Sequence, residues 1–178
     1  GTQMRRLLLV LLTMIFGGSA LADLPDVSFP SIDGGTLQMS DWSGRPIMVV
    51  NTASQCAFTR QYEELQALYD IYRDEGLVVL AVPSDDFQQE LDSAAEVKAF
   101  CDMAFGLDLP MTDITRVRGV QAHPLYRAVQ AETAFVPRWN FNKVLFGANG
   151  KVIATWGSRT SVMSAPVQRA VTAAIGKQ

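Results

Sequence analysis

Ile47-Met48-Val49-Val50-Asn51-Thr52-Ala53-Ser54-Gln55-Cys56-Ala57-Phe58-Thr59, followed by Arg60-Gln61-Tyr62-Glu63-Glu64-Leu65, is the stretch on which the reading of this chain turns. Ile47–Val50 is a continuous apolar run, the mark of a strand buried on both faces. Beyond it Leu65, Leu68, Tyr69 and Tyr72 recur at helical spacing. A lone cysteine, Cys56, stands at the junction. Unpaired N–H groups and the positive end of a helix dipole gather at such a place and favour a thiolate, the reactive form of cysteine. A dithiol that exchanges disulfides within one helical turn needs cysteine at position 59, where Thr59 stands. The pattern points to a single-cysteine nucleophile.

Working outward, the strand at Ile47–Val50, a helix from about Gln61 to Asp74 and the apolar strand Leu77–Val82 form a βαβ unit. Before it, Val27 and Phe29, then Leu37 and Met39, alternate with polar residues around Asp33-Gly34-Gly35, which predicts an N-terminal hairpin. After it, Ser93-Ala-Ala-Glu96 is a capping box that opens a helix with Val97, Phe100, Cys101 and Ala104 on one face. Lys143–Phe146 and Val152–Trp156 flank the turn signal Asn149-Gly150. A last helix carries Val167, Ala170, Val171, Ala174 and Ile175. This order predicts an α/β, thioredoxin-like fold: an N-terminal hairpin and a central mixed sheet flanked by helices.

Composition narrows the function. The 178 residues, 48% hydrophobic, suit one domain with a substantial core. Met4-Arg5-Arg6, the apolar run Leu7–Phe16 and Ala20-Leu21-Ala22 read as a cleaved secretory signal over residues 1–22, with a short extension, Gly1–Gln3, before it. A single domain then occupies 23–178, exported and placed in a bacterial periplasm. Residues 1–22 hold two arginines and no acid, which leaves 13 basic against 18 acidic residues, a net charge of −5. That balance argues against nucleic acid and anionic membranes as partners. One histidine and two cysteines argue against a protein-built metal site, and no cofactor motif is present. In an exported chain two cysteines also fit a structural disulfide, an alternative that stays open on composition.

Asn51–Thr59 with Gln61–Leu68, then Val82-Pro-Ser-Asp-Asp-Phe-Gln-Gln-Glu90, then Arg138-Trp-Asn-Phe-Asn-Lys143, stand in register and resemble the three signatures of the glutathione peroxidase family. His123-Pro-Leu-Tyr126 and Phe100-Cys101 also fall in family order, so the resemblance covers nearly all of residues 24–176. It implies peroxide reduction with Cys56 as the peroxidatic residue, whose thiolate attacks the O–O bond and becomes a sulfenic acid. The family surrounds that sulfur with a glutamine, a tryptophan and an asparagine. Trp139 and Asn140 match the last two. Both can donate hydrogen bonds to a thiolate or a developing oxyanion.

The glutamine position holds Asp86, which if ionised only accepts hydrogen bonds and opposes a thiolate. Three remedies are open: a protonated Asp86, an amide from Gln88 or Gln89, or charge balance from Arg60, Arg138 or Lys143. Ser84 replaces a cysteine that many members carry. Cys101 sits where two-cysteine members keep a resolving cysteine, which implies an intramolecular disulfide and a thioredoxin-like protein reductant in place of glutathione. Since Cys101 lies on the apolar face of its helix, that helix must unwind locally, and Gly106 and Asp102 near its C-terminus are read as weakening it. His123 reads as structural. The short connection before Trp139 implies a monomer open to bulky hydroperoxides. A peroxide-responsive relay and a non-catalytic domain with a structural disulfide are the competing functions.

Overall fold

The computed structural model describes residues 26–176. The leader read at residues 1–22 lies outside them. A short antiparallel hairpin, β1 (Ser28–Pro30) and β2 (Thr36–Gln38), precedes the main sheet. That sheet is built from β3 (Ile47–Thr52), β4 (Val78–Pro83), β5 (Lys143–Phe146) and β6 (Val152–Trp156), in the order β4-β3-β5-β6. β3 runs parallel to β4 and antiparallel to β5, so the sheet is mixed, and β5–β6 is the hairpin that Asn149-Gly150 predicts. Helices α1 (Gln61–Tyr72), α2 (Ala94–Phe105), α3 (Pro124–Thr133) and α4 (Ala165–Ile175) complete the domain.

Every residue of β3 and β4 is buried, as their apolar runs require. Alternate side chains serve two cores. Met48, Val50, Val79, Ala81 and Leu145 pack with Leu65 and Leu68 of α1, Val97 and Cys101 of α2, and Val167 and Val171 of α4. Ile47, Val49, Val78, Leu80 and Phe146 face the other way, toward Phe29 and α3 residues Leu125 and Val129. Each fully buried aliphatic side chain contributes about 1.5–3 kcal/mol. Ala104 departs from the periodicity: it is exposed, because only Val97 and Cys101 of α2 reach the core fully. His123 is structural, as expected. Its ring stacks on Phe29 at 3.7 Å, accepts from the Leu125 N–H and bonds the Ser28 carbonyl.

Because β3 and β4 are parallel and β5 antiparallel, three segments converge at one end of the sheet: 53–60 after β3, 84–92 after β4 and 138–142 before β5. Crevices at the carboxyl ends of parallel strands are where α/β folds place their chemistry. Among the described residues, no helix is long and apolar enough to cross a membrane.

Candidate active site

Cys56 lies in the first of these segments, 8% exposed and not disulfide-bonded. Its Sγ accepts the Phe58 N–H at 3.4 Å. Thr59, read from sequence only as the absent second cysteine, locks the turn. Its hydroxyl accepts the Cys56 N–H at 3.0 Å and lies within donating reach of the Ala53 and Cys56 carbonyls. The chain then passes through tight turns, Thr59 N–H to Cys56 O and Gln61 N–H to Phe58 O, before α1 begins at Gln61.

The third segment is held by two asparagines, Asn51 and Asn142, whose roles no local pattern reveals. Asn51, fully buried, donates to the Trp139 carbonyl at 2.9 Å and accepts the Asn142 N–H at 3.1 Å. Asn142 in turn accepts the Arg138 N–H and donates to Trp139 O and Ser158 Oγ. These bonds cross 91 residues of sequence and hold Phe141 at φ 59°, a left-handed conformation rare in bulky residues. The turn delivers Trp139, 38% exposed, and Asn140, fully buried. The Trp139 ring packs on Phe87 at 5.3 Å and borders an open depression of about 420 Å³ with Phe135, Val136 and Arg138.

The second segment decides between the remedies for Asp86. Its carboxylate faces the 116–118 loop, accepting the Val117 N–H at 2.7 Å, the Arg118 N–H at 3.2 Å and the Arg116 guanidinium at 3.0 Å. Its charge is balanced by Arg116, and not by Arg60, Arg138 or Lys143 as expected. Lys143 is engaged elsewhere, donating to Gln61 Oε1, Ser158 O and Gly157 O, and burial lowers its ammonium to about 8. Gln88 turns the loop at φ 57°, and Gln89 is the amide that meets the site. The Gln89 carbonyl accepts the Gln55 N–H at 2.9 Å, and its side-chain oxygen accepts Asn140 Nδ2 at 3.0 Å. Gln89 thus joins the cysteine loop to the asparagine turn.

Cys101 is 2% exposed in the same core as Cys56 and also unbonded. Burial pushes its thiol up to about 11. Helix α2 is capped at both ends. Ser93 accepts the Glu96 N–H and donates to its carboxylate, and Gly106 closes the C-terminus at φ 58°. Asp102, read as a weakness, is offset by Lys98 at 3.0 Å.

The glutathione peroxidase family profile matches residues 24–130. The chain is 37% identical over 140 residues to a glutathione peroxidase of Lactococcus lactis, covering 76% of this chain and 89% of that one. It is 38% identical over 139 residues to the hydroperoxy fatty acid reductase of Synechocystis, covering 72% and 82%. A thioredoxin family protein from Chlorobium tepidum superposes with a TM-score of 0.66 at 18% identity, over 87% of this chain and 97% of that one, which shows a shared fold. A family profile over more than half the chain, and relatives this similar across three quarters of it, carry one conclusion: this chain belongs to the glutathione peroxidase family, oxidoreductases that act on peroxides.

Proposed function

We propose that the protein reduces hydroperoxides through a Cys56 sulfenic acid that Cys101 resolves to a disulfide, with a thioredoxin-like protein as electron donor. The observation that carries this reading is the Gln89 junction. One residue ties the Cys56 loop to Asn140 through its carbonyl and its side-chain oxygen, and in this reading its Nε2 takes the donor role that Asp86 cannot. Asn140, Trp139 and Gln89 then stabilise charge as the O–O bond breaks: the thiolate takes the near oxygen, and the departing oxygen leaves as water or an alcohol. Asp86 acts in this reading through the 116–118 loop and does not touch the sulfur.

Two free thiols in one core support the resolving role of Cys101, and its burial requires α2 to loosen before a disulfide closes. The short connection before Trp139 supports a site open to bulky organic hydroperoxides; the depression beside Trp139 is lined by Phe135, Val136 and Arg138 and not by Cys56. The leader pattern at residues 1–22 supports export to a bacterial periplasm, with a thioredoxin-fold reductant of that compartment as donor, and the short connection before Trp139 supports a monomer.

The test is single-turnover peroxide consumption by the reduced mature protein. Cys56→Ser should consume nothing, and Cys101→Ser should complete one turnover and stop at sulfenic acid. Failure of the reduced wild type to consume peroxide would sink the reading. Turnover that is faster with glutathione than with a thioredoxin-like protein would overturn the donor assignment.

A further inference from the structure

Near the two cysteines the protein buries polar groups that its folding leaves unused. Glu90 is 6% exposed. Its Oε1 accepts the Ser54 N–H at 3.0 Å and the Leu91 N–H at 2.8 Å, and its Oε2 has no partner among the described residues. The same holds for Thr52 Oγ1, Ser54 Oγ and the Tyr62 hydroxyl. That hydroxyl lies against Thr52 and the Cys101 thiol without a well-formed bond to either. An unpartnered buried polar group costs about 1–3 kcal/mol, and native structures hold few of them. Here four belong to residues near the two cysteines: Thr52 and Ser54 lead into the Cys56 loop, Glu90 is bonded to Ser54, and Tyr62 lies beside Cys101.

Disulfide closure needs chemistry that these groups can supply. A protonated thiol is a poor nucleophile, and burial pushes the Cys101 thiol up to about 11, with the carboxylates of Glu90 and Asp102 adding to the effect and Tyr62 and Lys98 opposing it. Glu90 is itself raised above the ordinary carboxylate range, first by burial and further by Asp85, against the bonds from Ser54 and Leu91. A raised carboxylate is a better base than a solvated one.

We propose that Glu90 is the proton acceptor for Cys101 in the resolving step and that the Tyr62 hydroxyl relays the proton. This rests on the two-cysteine peroxidase reading. The Cys101 S–H proton passes by way of Tyr62 to Glu90 while α2 is closed, and once the helix loosens the Cys101 thiolate attacks Cys56. The S–S bond forms, the S–O bond of the sulfenic acid breaks, and the departing hydroxide takes the proton from Glu90 as water. The Cys101 sulfur is oxidised and the sulfenic sulfur reduced, so electrons balance without another reagent. Glu90 is bonded to the Ser54 N–H, two residues before Cys56, so the proton acceptor belongs to the same loop as the sulfenic acid.

The experiment starts from Cys56 sulfenic acid, formed with one equivalent of hydrogen peroxide and verified by dimedone capture, and follows disulfide formation against pH. Glu90→Gln keeps an acceptor for the Ser54 N–H and removes the base; Tyr62→Phe keeps the ring and removes the relay. Both should slow disulfide formation tenfold or more at neutral pH. The Glu90→Gln rate should climb steadily with pH toward the thiol's own titration near 11, while the wild type levels off at lower pH. Should Glu90→Gln fail to fold, the Tyr62→Phe profile decides. Wild-type resolving rates and pH profiles in the folded variants overturn this proposal alone. Absence of sulfenic acid in the wild type overturns the peroxidase reading and this proposal with it.

Discussion

Asp86 and Gln89 sit three residues apart in one loop, and only one of them touches Asn140. Asp86→Asn removes a charged acceptor from two N–H groups and the Arg116 guanidinium, so it should lower stability by about 1–3 kcal/mol. The oxidation rate of Cys56 should stay within about threefold, since one tenfold step needs about 1.4 kcal/mol of barrier. Gln89→Ala should behave in the opposite sense, with a loss on the order of tenfold or more in that rate, the cost of a missing donor where charge develops. Stopped-flow oxidation and denaturant melts on the two variants separate the roles. Equal rate losses would return Asp86 to the reacting centre. The aspartate's position was legible from motif register. Its orientation was not, because its partners lie 30 residues downstream in a loop without a motif.

At the scale of elements, the proposed resolving step requires α2 to loosen, because Cys101 is buried on it. Its capping box was visible in Ser93-Ala-Ala-Glu96, and the helix forms as that box predicts. The Lys98 pairs with Asp33 and Asp102 were not visible, since one crosses to the N-terminal hairpin. Ser93→Ala removes a cap bond worth about 1 kcal/mol, which raises the open population about fivefold. If opening limits resolution, disulfide formation from the sulfenic acid should accelerate by up to that factor. Amide exchange should show residues 94–105 less protected than β3 and β4, and equal protection would mean that α2 does not open.

For the whole molecule, pH acts through groups that burial displaces. Lys143 is held at about 8, below its ordinary 10.5, chiefly by burial. Between those values the unfolded chain binds more protons than the folded one, so this residue makes stability rise with pH across that window. The Cys101 thiol, raised from 9 to about 11 by burial, acts in reverse: the folded form holds the proton, and stability falls as pH passes from 9 to 11. Lys143→Met should therefore flatten the rise in melting temperature between pH 8 and 9, where the lysine acts before the thiol. An unchanged profile would show that the ammonium is not displaced.

The amino-acid sequence by itself determined the strands and helices, the βαβ order and the positions of Cys56, Trp139 and Asn140. Those follow from local periodicity, turn residues and motif register, which depend on neighbours a few positions apart. Tertiary structure alone decided that Arg116 balances Asp86, that Gln89 meets Asn140, that Asn51 and Asn142 aim the Trp139 turn, and that Glu90 is buried against Ser54 while Tyr62 lies beside Cys101. Each of those depends on hydrogen bonds or burial between segments distant in sequence. Such contacts acquire a direction only when the three loops close over one end of the sheet.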